Sequence, residues 1–295
     1  MYWIGTFFIM TVDEFIDLAL QEDLQDPKHQ IPFGDHSTLS TVKSGSSQRA
    51  RALVKQDGII AGIALSQQIF RKIDPQLSFE MNGYEDGDKV EYGDEIFYLE
   101  GNPQSMLTGE RLALNFMQRM SGIATLSRMY VDEVAGTGVK VLDTRKTTPN
   151  LRYFEKWAVQ IGGAKNHRFG LYDMIMIKDN HVDFAGGIEK AIDAANSYLQ
   201  KNNFSVPIEI ETRSLEEVQR VVKHGGVQRV MLDNFTVKEV YDAVEFVDKR
   251  LETEVSGGIN LETIRAYAEA KPDYISVGAL THSYTSLDIS LKALI

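Results

Sequence analysis

The fold is decided by the pattern in one stretch, PIEIETRSLEEVQRVVKHGGVQRVMLDN (207–234). Two short strand-like runs, PIEIE (207–211) and RVMLD (229–233), flank a segment at 215–223 whose apolar residues recur at helical spacing. A strand, a helix and a second strand in this order are typical of a parallel β/α unit, because parallel neighbours need a crossover connection.

The same unit recurs on both sides of this stretch. Further strand-like runs are VKVLD (139–143), MIMI (174–177), TEVS (253–256) and YISV (274–277), and helical segments such as 237–247 and 261–270 lie between runs. The last four strands recur about every 22 residues, a tight spacing that favours a barrel over an open sheet with long crossovers. We therefore predict an α/β protein with parallel β/α units from residue 139 onward.

The first third of the chain has a different pattern. Helices are predicted near 11–24 and 65–73, and strand-like runs fall at 50–54, 59–63, 77–81, 89–90 and 95–99, with glycines typical of turns between them. This pattern predicts a small α+β or sandwich domain. Residues 104–135 then form one long helix or a broken pair, with Gly122 as the candidate interruption.

Composition excludes several classes of protein. The chain has 295 residues, a net charge of −11 and no cysteine. It therefore has no disulfide framework, thiolate metal site or cysteine nucleophile, and it suits a reducing compartment, so we expect a cytoplasmic protein. The negative charge argues against nucleic acid as a partner. A membrane is not expected either, because no run reaches the roughly 18 apolar residues of a membrane span.

The N-terminal segment MYWIGTFFIM (1–10) is apolar but short, with no basic region or small-residue cleavage site, which argues against a signal peptide. Met10 opens an acidic, helix-like segment, TVDEFIDLALQEDL (11–24). We expect Met10 to be the natural start and residues 1–9 to be an upstream extension.

Polar residues follow each predicted strand of the second region. They are Asp143 to Lys146, Lys178 to His181, Glu211, Asp233-Asn234, Ser256 to Gly258, and Gly278. In a β/α barrel these ends converge on one face, where active sites form. A single Asp-Asn or Gly is more often a turn residue, but six strands with such ends are hard to obtain from turn statistics alone.

The charges at these ends suggest an anionic ligand. The window 145–178 holds seven Lys or Arg and two acidic residues, whereas residues 1–110 hold eight basic and 18 acidic residues. Arg145, Lys146, Arg168 and Lys178 are suited to phosphates or carboxylates. Glu211 and Asp233 would repel such an anion unless they hold Mg²⁺ or bind sugar hydroxyls. Glycine-rich turns after the last two strands are typical of a barrel phosphate site. Together these features predict a phosphosugar donor and an acidic acceptor.

Other chemistries lack their motifs. The sequence has no P-loop, no GxGxxG after a strand, no HExxH and no GxSxG. His167, His181 and His282 do not have zinc-ligand spacing. A structural or supporting role is the better interpretation for His181 and His282.

Several stretches resemble those of quinolinate phosphoribosyltransferase, also called nicotinate-nucleotide pyrophosphorylase (carboxylating). They are GERLALNFMQRMSGIAT (109–125), LDTRKTTPNLR (142–152), GGAKNHRFGLYD (162–173), IKDNHV (177–182), EIET (209–212), MLDN (231–234), VSGGI (255–259) and YISVGALTHS (274–283). The likeness covers about 105–290 closely and the N-terminal region more loosely.

The resemblance implies an N-terminal α/β sandwich domain over 10–112 and an incomplete parallel β/α, TIM-like barrel over 113–282. The tail 283–295 is expected to pack back on the first domain. It also implies a homodimer with shared active sites. The implied enzyme is a pentosyltransferase that joins quinolinate to phosphoribosyl pyrophosphate with Mg²⁺ and releases nicotinate mononucleotide, pyrophosphate and CO₂, a step of de novo NAD synthesis.

Residue roles follow from the same motifs. The resemblance implies that Arg145, His167, Arg168 and Lys178 hold the quinolinate carboxylates and that Lys146 contacts the pyrophosphate or ribose. Glu211 and Asp233 should hold the ribose hydroxyls and the metal, and Arg111 should reach into the partner subunit's site. The remaining substrate-binding residues are expected to be Thr144, Ser256, Gly257, Gly258, Val277, Gly278 and Ala279, most of them at the 5′-phosphate. The candidate catalytic residues are Lys146, Lys178, Glu211 and Asp233.

Three positions depart from the family pattern, and two other functions stay open. Ala164 and Asn150 stand where the family commonly has glycine, and GDHST (34–38) only approximates the usual N-terminal motif. The first alternative is a related phosphoribosyltransferase with another acceptor, such as nicotinate. The second is a non-catalytic barrel that binds a phosphosugar.

Overall fold

The computed structural model describes residues 10–28, 30–43 and 45–294. The expectation that residues 1–9 are an upstream extension therefore lies outside the described residues. Two compact units are present among the described residues: those within 10–125, 153–162 and 284–294 make the first, and residues 126–152 and 163–283 make the second. Among the described residues, no helix is both long and apolar enough to cross a membrane.

The elements before the first strand of the parallel sheet follow one another in this order: α1 (Val12–Leu24), α2 (His36–Thr41), β1 (Gln48–Val54), β2 (Gly58–Ile59), α3 (Ile63–Ile73), β3 (Ser78–Met81), β4 (Lys89–Val90), β5 (Glu95–Gly101) and α4 (Pro103–Glu133). The first helix begins where the sequence predicts it. Thr11 caps it, because the Thr11 hydroxyl accepts from the N–H of Glu14 at 3.2 Å and the Glu14 carboxylate accepts from the N–H of Thr11 at 2.7 Å.

The remaining elements are β6 (Lys140–Leu142), α5 (Arg152–Ile161), β7 (Ile175–Ile177), α6 (Asp179–Ala185), α7 (Ile188–Asn202), β8 (Ile208–Thr212), α8 (Leu215–His224), β9 (Arg229–Asp233), α9 (Val237–Val247), β10 (Glu252–Ser256), α10 (Ile264–Glu269), β11 (Tyr274–Ser276), α11 (Ala279–His282) and β12 (Ile289–Leu294). The six strands predicted from residue 139 onward are all present.

The first unit is built on an antiparallel sheet with strand order β12-β1-β5-β3. The C-terminal strand β12 pairs with β1 from Arg49 opposite Leu294 to Val54 opposite Ile289. Aromatic rings of Phe15, Phe116 and Phe154 pack together in this unit, with centroid distances of 4.8–6.0 Å. The tail is thus a strand of the N-terminal sheet.

The second unit is a parallel sheet with strand order β6-β11-β10-β9-β8-β7 and with helices between its strands. Alternate residues divide between two faces. Ile210, Val230, Val255 and Ile275 form part of the buried apolar face. The opposite face carries polar residues. Among them, Glu209 on β8 and Glu252 on β10 are each in register with Arg229 on β9. This architecture is the incomplete α/β barrel that the sequence predicts.

One sequence-based expectation differs from the structure, and one open alternative is decided by it. Residues 59–63 do not form one strand, because α3 already begins at Ile63, whose N–H donates to the Asp86 carboxylate at 2.9 Å. Gly122 does not interrupt α4, which runs unbroken for 31 residues. The predicted domain boundary between residues 112 and 113 falls within that helix and stays a prediction.

Candidate functional site

The carboxyl ends of the barrel strands carry the predicted site residues of the second unit. Lys178 directly follows β7, and Glu211 lies near the end of β8. Their side chains meet, since Nζ of Lys178 forms an ion pair with Oε1 of Glu211. The N–H of Lys178 donates to Nδ1 of His181 at 2.8 Å, so His181 orients the backbone that carries this cation.

Arg145 and Arg168 form a pair of neighbouring cations. Arg145 follows β6, and Nη1 of Arg168 donates to the carbonyl of Met174 at 3.2 Å. Burial, and next the charge of Arg145, lower the pKa of Arg168. Nε of Arg145 is buried and has no hydrogen-bond partner among the described residues. Such an arrangement is costly by itself, and an anion between the two guanidinium groups would offset that cost.

His167 lies below the strand ends and is only 7% exposed. Its Nε2 lies 3.0 Å from Oε2 of Glu209 and 3.4 Å from Oε2 of Glu254. Its backbone N–H donates to the buried carboxylate of Asp143 at 2.8 Å. The ring of His167 therefore faces buried carboxylates with its Nε2. Its predicted contact with the acceptor stays a prediction.

The protonation of His167 depends on opposing effects. Burial alone lowers the pKa of the imidazole, but the hydrogen bonds and charges of Glu209 and Glu254 outweigh it and raise the pKa to about 9. The N–H of Arg168 donates to Nδ1 at 2.6 Å, which favours the neutral ring with its proton on Nε2. In either form Nε2 carries a proton, because it faces two carboxylates.

The ends of β9 and β10 form one corner of the site. The amide of Asn234 donates to Oδ2 of Asp233 at 2.9 Å, and the N–H of Asn234 donates to the carbonyl of Ser256 at 2.8 Å. A Cβ on Gly257 would lie 2.2 Å from Oδ1 of Asn234, and Gly257 has a φ of +100°. Only glycine fits there, so the turn of Ser256, Gly257 and Gly258 is tied to the loop that carries Asp233.

The turn after β11, the strand next to β10, forms the adjoining part of the site, and Lys146 lies against it. A Cβ on Gly278 would lie 2.9 Å from Cδ of Lys146 and 3.2 Å from Nε2 of His282. The hydroxyl of Thr281 donates to the carbonyl of Lys146 at 2.9 Å. Thr144 accepts from the N–H of Lys146 at 3.0 Å. Thr144 and Lys146 thus lie beside the turn formed by Val277, Gly278 and Ala279.

Arg111 belongs to the first unit. It lies on α4, is exposed, and makes no hydrogen bond or ion pair with other residues in the described part of the chain. Its predicted role in a partner subunit stays a prediction.

Sequence reasoning missed three kinds of supporting residue. Asn234, which lies in the left-handed region at φ 58°, was interpreted as a turn residue. Thr281 was not singled out, although it holds the backbone of Lys146. Glu209 and Glu254 were not singled out either, and both are fully buried. Charged residues at alternate positions of a buried strand were the signal that could have found them.

Comparisons with known proteins agree on one family. A family model for the C-terminal domain of quinolinate phosphoribosyl transferase matches residues 123–292, and the model for the N-terminal domain matches residues 35–121. The chain belongs to the quinolinate phosphoribosyltransferase family. Quinolinate phosphoribosyltransferase [decarboxylating] 1b of Nicotiana tabacum is 44% identical over 94% of this chain and 81% of its own length.

Two bacterial relatives extend this result. The probable nicotinate-nucleotide pyrophosphorylase [carboxylating] of Bacillus subtilis is 39% identical over 86% of each chain. The crystal structure of NadC from Streptococcus pyogenes has a TM-score of 0.89 at 38% identity and covers 96% of this chain and 97% of its own. Both the sequence and the barrel architecture are therefore those of quinolinate phosphoribosyltransferases.

The departures from the quinolinate phosphoribosyltransferase pattern have simple structural counterparts. Asn150 adopts a φ of 65°, in the left-handed region that asparagine tolerates better than most residues. Ala164 is buried, and its φ is not positive, so its methyl group needs no special backbone conformation. Asp35 of GDHST caps α2, because its carboxylate accepts from the N–H of Thr38 at 3.0 Å.

Proposed function

We propose that this chain transfers the phosphoribosyl group of phosphoribosyl pyrophosphate to quinolinate and decarboxylates the product, giving nicotinate mononucleotide, pyrophosphate and CO₂. It would thus be a nicotinate-nucleotide diphosphorylase (carboxylating), a pentosyltransferase of NAD biosynthesis. The observation that carries the proposal is the guanidinium pair of Arg145 and Arg168, with a buried Arg145 Nε that has no hydrogen-bond partner in the described part of the chain.

The acceptor end of the site suits a dicarboxylate. Quinolinate carries two carboxylates on adjacent ring carbons, and Arg145, Arg168 and Lys178 supply three cations to bind them. Arginine forms paired hydrogen bonds with a carboxylate, which fixes the plane of the pyridine ring. His167 would support the backbone of Arg168, because its Nδ1 accepts a hydrogen bond from the N–H of Arg168.

The donor end would bind a phosphorylated ribose. Glu211 and Asp233 lie on neighbouring strands, and their oxygens suit the two ribose hydroxyls. The turns at 256–258 and 277–279 offer backbone N–H groups to the 5′-phosphate. Lys146, beside the second turn, would bind the pyrophosphate.

Mg²⁺ is part of the proposal, and the donor set supports it. Carboxylates such as Glu211 and Asp233 are the hard oxygen ligands that Mg²⁺ prefers, usually together with substrate phosphates. When bound, the ion would neutralise charge on the departing pyrophosphate. Lys178 now pairs with Glu211, so it would have to leave that carboxylate before the ion binds there.

The reaction needs positioning more than covalent chemistry. The ribosyl carbon develops positive charge as the bond to pyrophosphate breaks, and the pyridine nitrogen then bonds to that carbon. The protein holds the two reactants in line and stabilises the leaving charge through Lys146. The carboxylate next to the ring nitrogen leaves as CO₂, its bonding electrons are stabilised by the cationic pyridinium, and a proton replaces it.

A homodimer with shared sites is the proposed assembly. Arg111 supports it, because this cation is exposed on α4 and has no ion-pair partner among the described residues. A partner's bound substrate would supply the missing anion. Sedimentation analysis gives the subunit number, and a purely monomeric active enzyme would contradict the proposal. We also propose a cytoplasmic location, which the absence of cysteine suits and which cell fractionation tests.

Substrate preference tests the function itself. Purified protein with Mg²⁺ and phosphoribosyl pyrophosphate should release pyrophosphate and CO₂ when quinolinate is added. Nicotinate, which lacks one carboxylate, should not replace quinolinate. A preference for nicotinate would favour the related phosphoribosyltransferase, whereas binding of both substrates without CO₂ release would favour a non-catalytic barrel.

A further inference from the structure

A buried charged cluster spans the inside of the barrel below the candidate site. It consists of His167, Glu209, Glu254 and Arg229. Nε2 of His167 lies 3.0 Å from Glu209 and 3.4 Å from Glu254, and Nη1 of Arg229 lies 2.9 Å from the same oxygen of Glu254. Both glutamates are fully buried. Charges this deep are retained only where each has a partner, and they often specify one arrangement of a core rather than add stability.

The position of His167 gives this cluster a mechanical role. The barrel sheet is incomplete, with β6 and β7 at its two edges. The segment that carries His167 lies beside β6, where Lys165 bridges Leu142, and it belongs to none of the barrel strands. His167 reaches from this edge segment to Glu209 on β8 and Glu254 on β10. The cluster therefore connects the open edge to the far strands across the interior.

Arg229 anchors the other end of the cluster. Its Nη2 lies 3.0 Å from Glu252, and its guanidinium lies 4.0 Å from the ring centroid of Tyr274 on β11. Tyr274 donates in turn to Glu252 at 3.1 Å. Three strands are thus locked around Arg229, which provides a rigid base for Glu254 and, through it, for His167.

The ligand atoms of His167, Glu209 and Glu254 also lie within 4.8 Å of one another, as in a metal site. Arg229 argues against that interpretation, because its guanidinium lies 2.9 Å from the same Glu254 oxygen that faces His167 and would repel a divalent cation there.

We propose that His167, Glu209, Glu254 and Arg229 form a cross-barrel brace that positions Arg168 for the acceptor. The inference rests on the proposed function. Arg168 is the next residue after His167, and its N–H donates to Nδ1 of His167. The donor-side residues Glu211 and Asp233 need no brace, because they lie in β8 and β9, which are paired along their length. Loss of the brace should therefore displace the acceptor cation and leave the donor site in place.

Two charge-removing variants and one charge-conserving variant test the brace. Glu254→Gln leaves Arg229 paired with Glu252, and Glu209→Gln removes the carboxylate closest to His167. Glu209→Asp keeps the net charge of the cluster but withdraws the carboxylate from His167, so it is the variant least exposed to misfolding. We expect each to raise the KM for quinolinate about tenfold or more and the KM for phosphoribosyl pyrophosphate less than about threefold.

The matched control is Glu189→Gln, which breaks an exposed pair with Arg220 on the outside of the barrel (2.6 Å) and should change neither KM. Thermal melts establish that each variant is folded. Equal rises in both KM values, or an unchanged quinolinate KM in folded Glu209→Asp, would overturn the brace. Wild-type protein that releases no pyrophosphate with quinolinate would instead contradict the proposed function, so the two failures are distinguishable.

Discussion

Lys178 and Glu211 form an ion pair that joins the loop after β7 to the end of β8. One of these residues is a predicted acceptor cation and the other a predicted metal and ribose ligand. While substrates are absent, the ion pair therefore keeps Lys178 from binding an acceptor and keeps Glu211 from binding a metal or the ribose. Binding of metal and donor at Glu211 would release Lys178 for quinolinate, which couples the two halves of the site.

This coupling leads to a prediction for Glu211→Gln. The variant should need more Mg²⁺ for half-maximal activity and show a lower kcat, because a charged oxygen ligand is lost. Quinolinate binding to the variant without metal should be unchanged or tighter, since Lys178 no longer leaves an ion pair. Calorimetric titration measures this affinity, and Glu216→Gln, an exposed carboxylate on α8, is the control. Weaker quinolinate binding in Glu211→Gln would contradict the coupling.

Arg168→Ala should weaken quinolinate binding more than donor binding. Loss of one charge-assisted hydrogen-bonding group costs roughly 1.5–3 kcal/mol, which corresponds to about 10- to 150-fold in Kd. Separate titrations with quinolinate and phosphoribosyl pyrophosphate measure the effect. Arg220→Ala, which removes an outer cation, controls for a general change in charge. An equal loss of affinity for both substrates would count against Arg168 as an acceptor cation.

A mixing experiment tests whether Arg111 acts in the partner subunit. Arg111→Ala and Lys178→Ala should each abolish activity in their own homodimers, because each lacks one cation in every site. Mixed dimers would contain one complete site, so exchange of subunits should restore up to about a quarter of the wild-type activity. Native mass spectrometry confirms exchange, and absent recovery after exchange would show that the two residues do not serve one site in trans.

His167 predicts a loss of stability on the alkaline side. Its pKa is raised from 6.5 to about 9 in the folded protein. The stabilisation is therefore fully present below about pH 6.5 and is lost as pH rises through about 9, with an upper bound on the order of 3 kcal/mol. Urea unfolding at pH 6.5 and 9.5 measures it, after comparison with His167→Gln. If the free energy of unfolding changes by the same amount between pH 6.5 and pH 9.5 in wild-type protein and in His167→Gln, then His167 does not titrate in this window.

Gly122 should tolerate no side chain. A Cβ at this position would lie 2.2 Å from the carbonyl oxygen of Thr285, and backbone atoms cannot move aside as a flexible side chain can. Gly122→Ala should lower the free energy of unfolding by about 1–3 kcal/mol, despite the better helix propensity of alanine. Denaturant unfolding measures the change. Leu107→Ala, a half-exposed site on the same helix, is the control, and an unchanged or higher stability of Gly122→Ala would refute the steric explanation.

The barrel could be predicted because its strands and helices have local signals. The pattern at 207–234 anticipates β8, α8 and β9 nearly to the residue, and two of the polar residues predicted at the strand ends, Lys178 and Glu211, form an ion pair in the structure. Gly122 left one long helix and a broken pair both open, because glycine weakens helices on average; here it permits close approach of the tail to an unbroken helix. His167 was expected among the acceptor cations, yet its ring faces Glu209 and Glu254, which are distant in sequence.

The sequence by itself determined the fold class, the order of the strands along the chain and the chemical types at their ends, because periodicity and motif spacing are local properties. The tertiary structure alone decided which charges meet. It pairs Lys178 with Glu211, leaves Arg145 Nε without a hydrogen bond to any described residue, and buries His167 between two glutamates. Such pairings depend on strand register and barrel curvature, which place side chains from separate strands within a few ångströms and which no local pattern encodes.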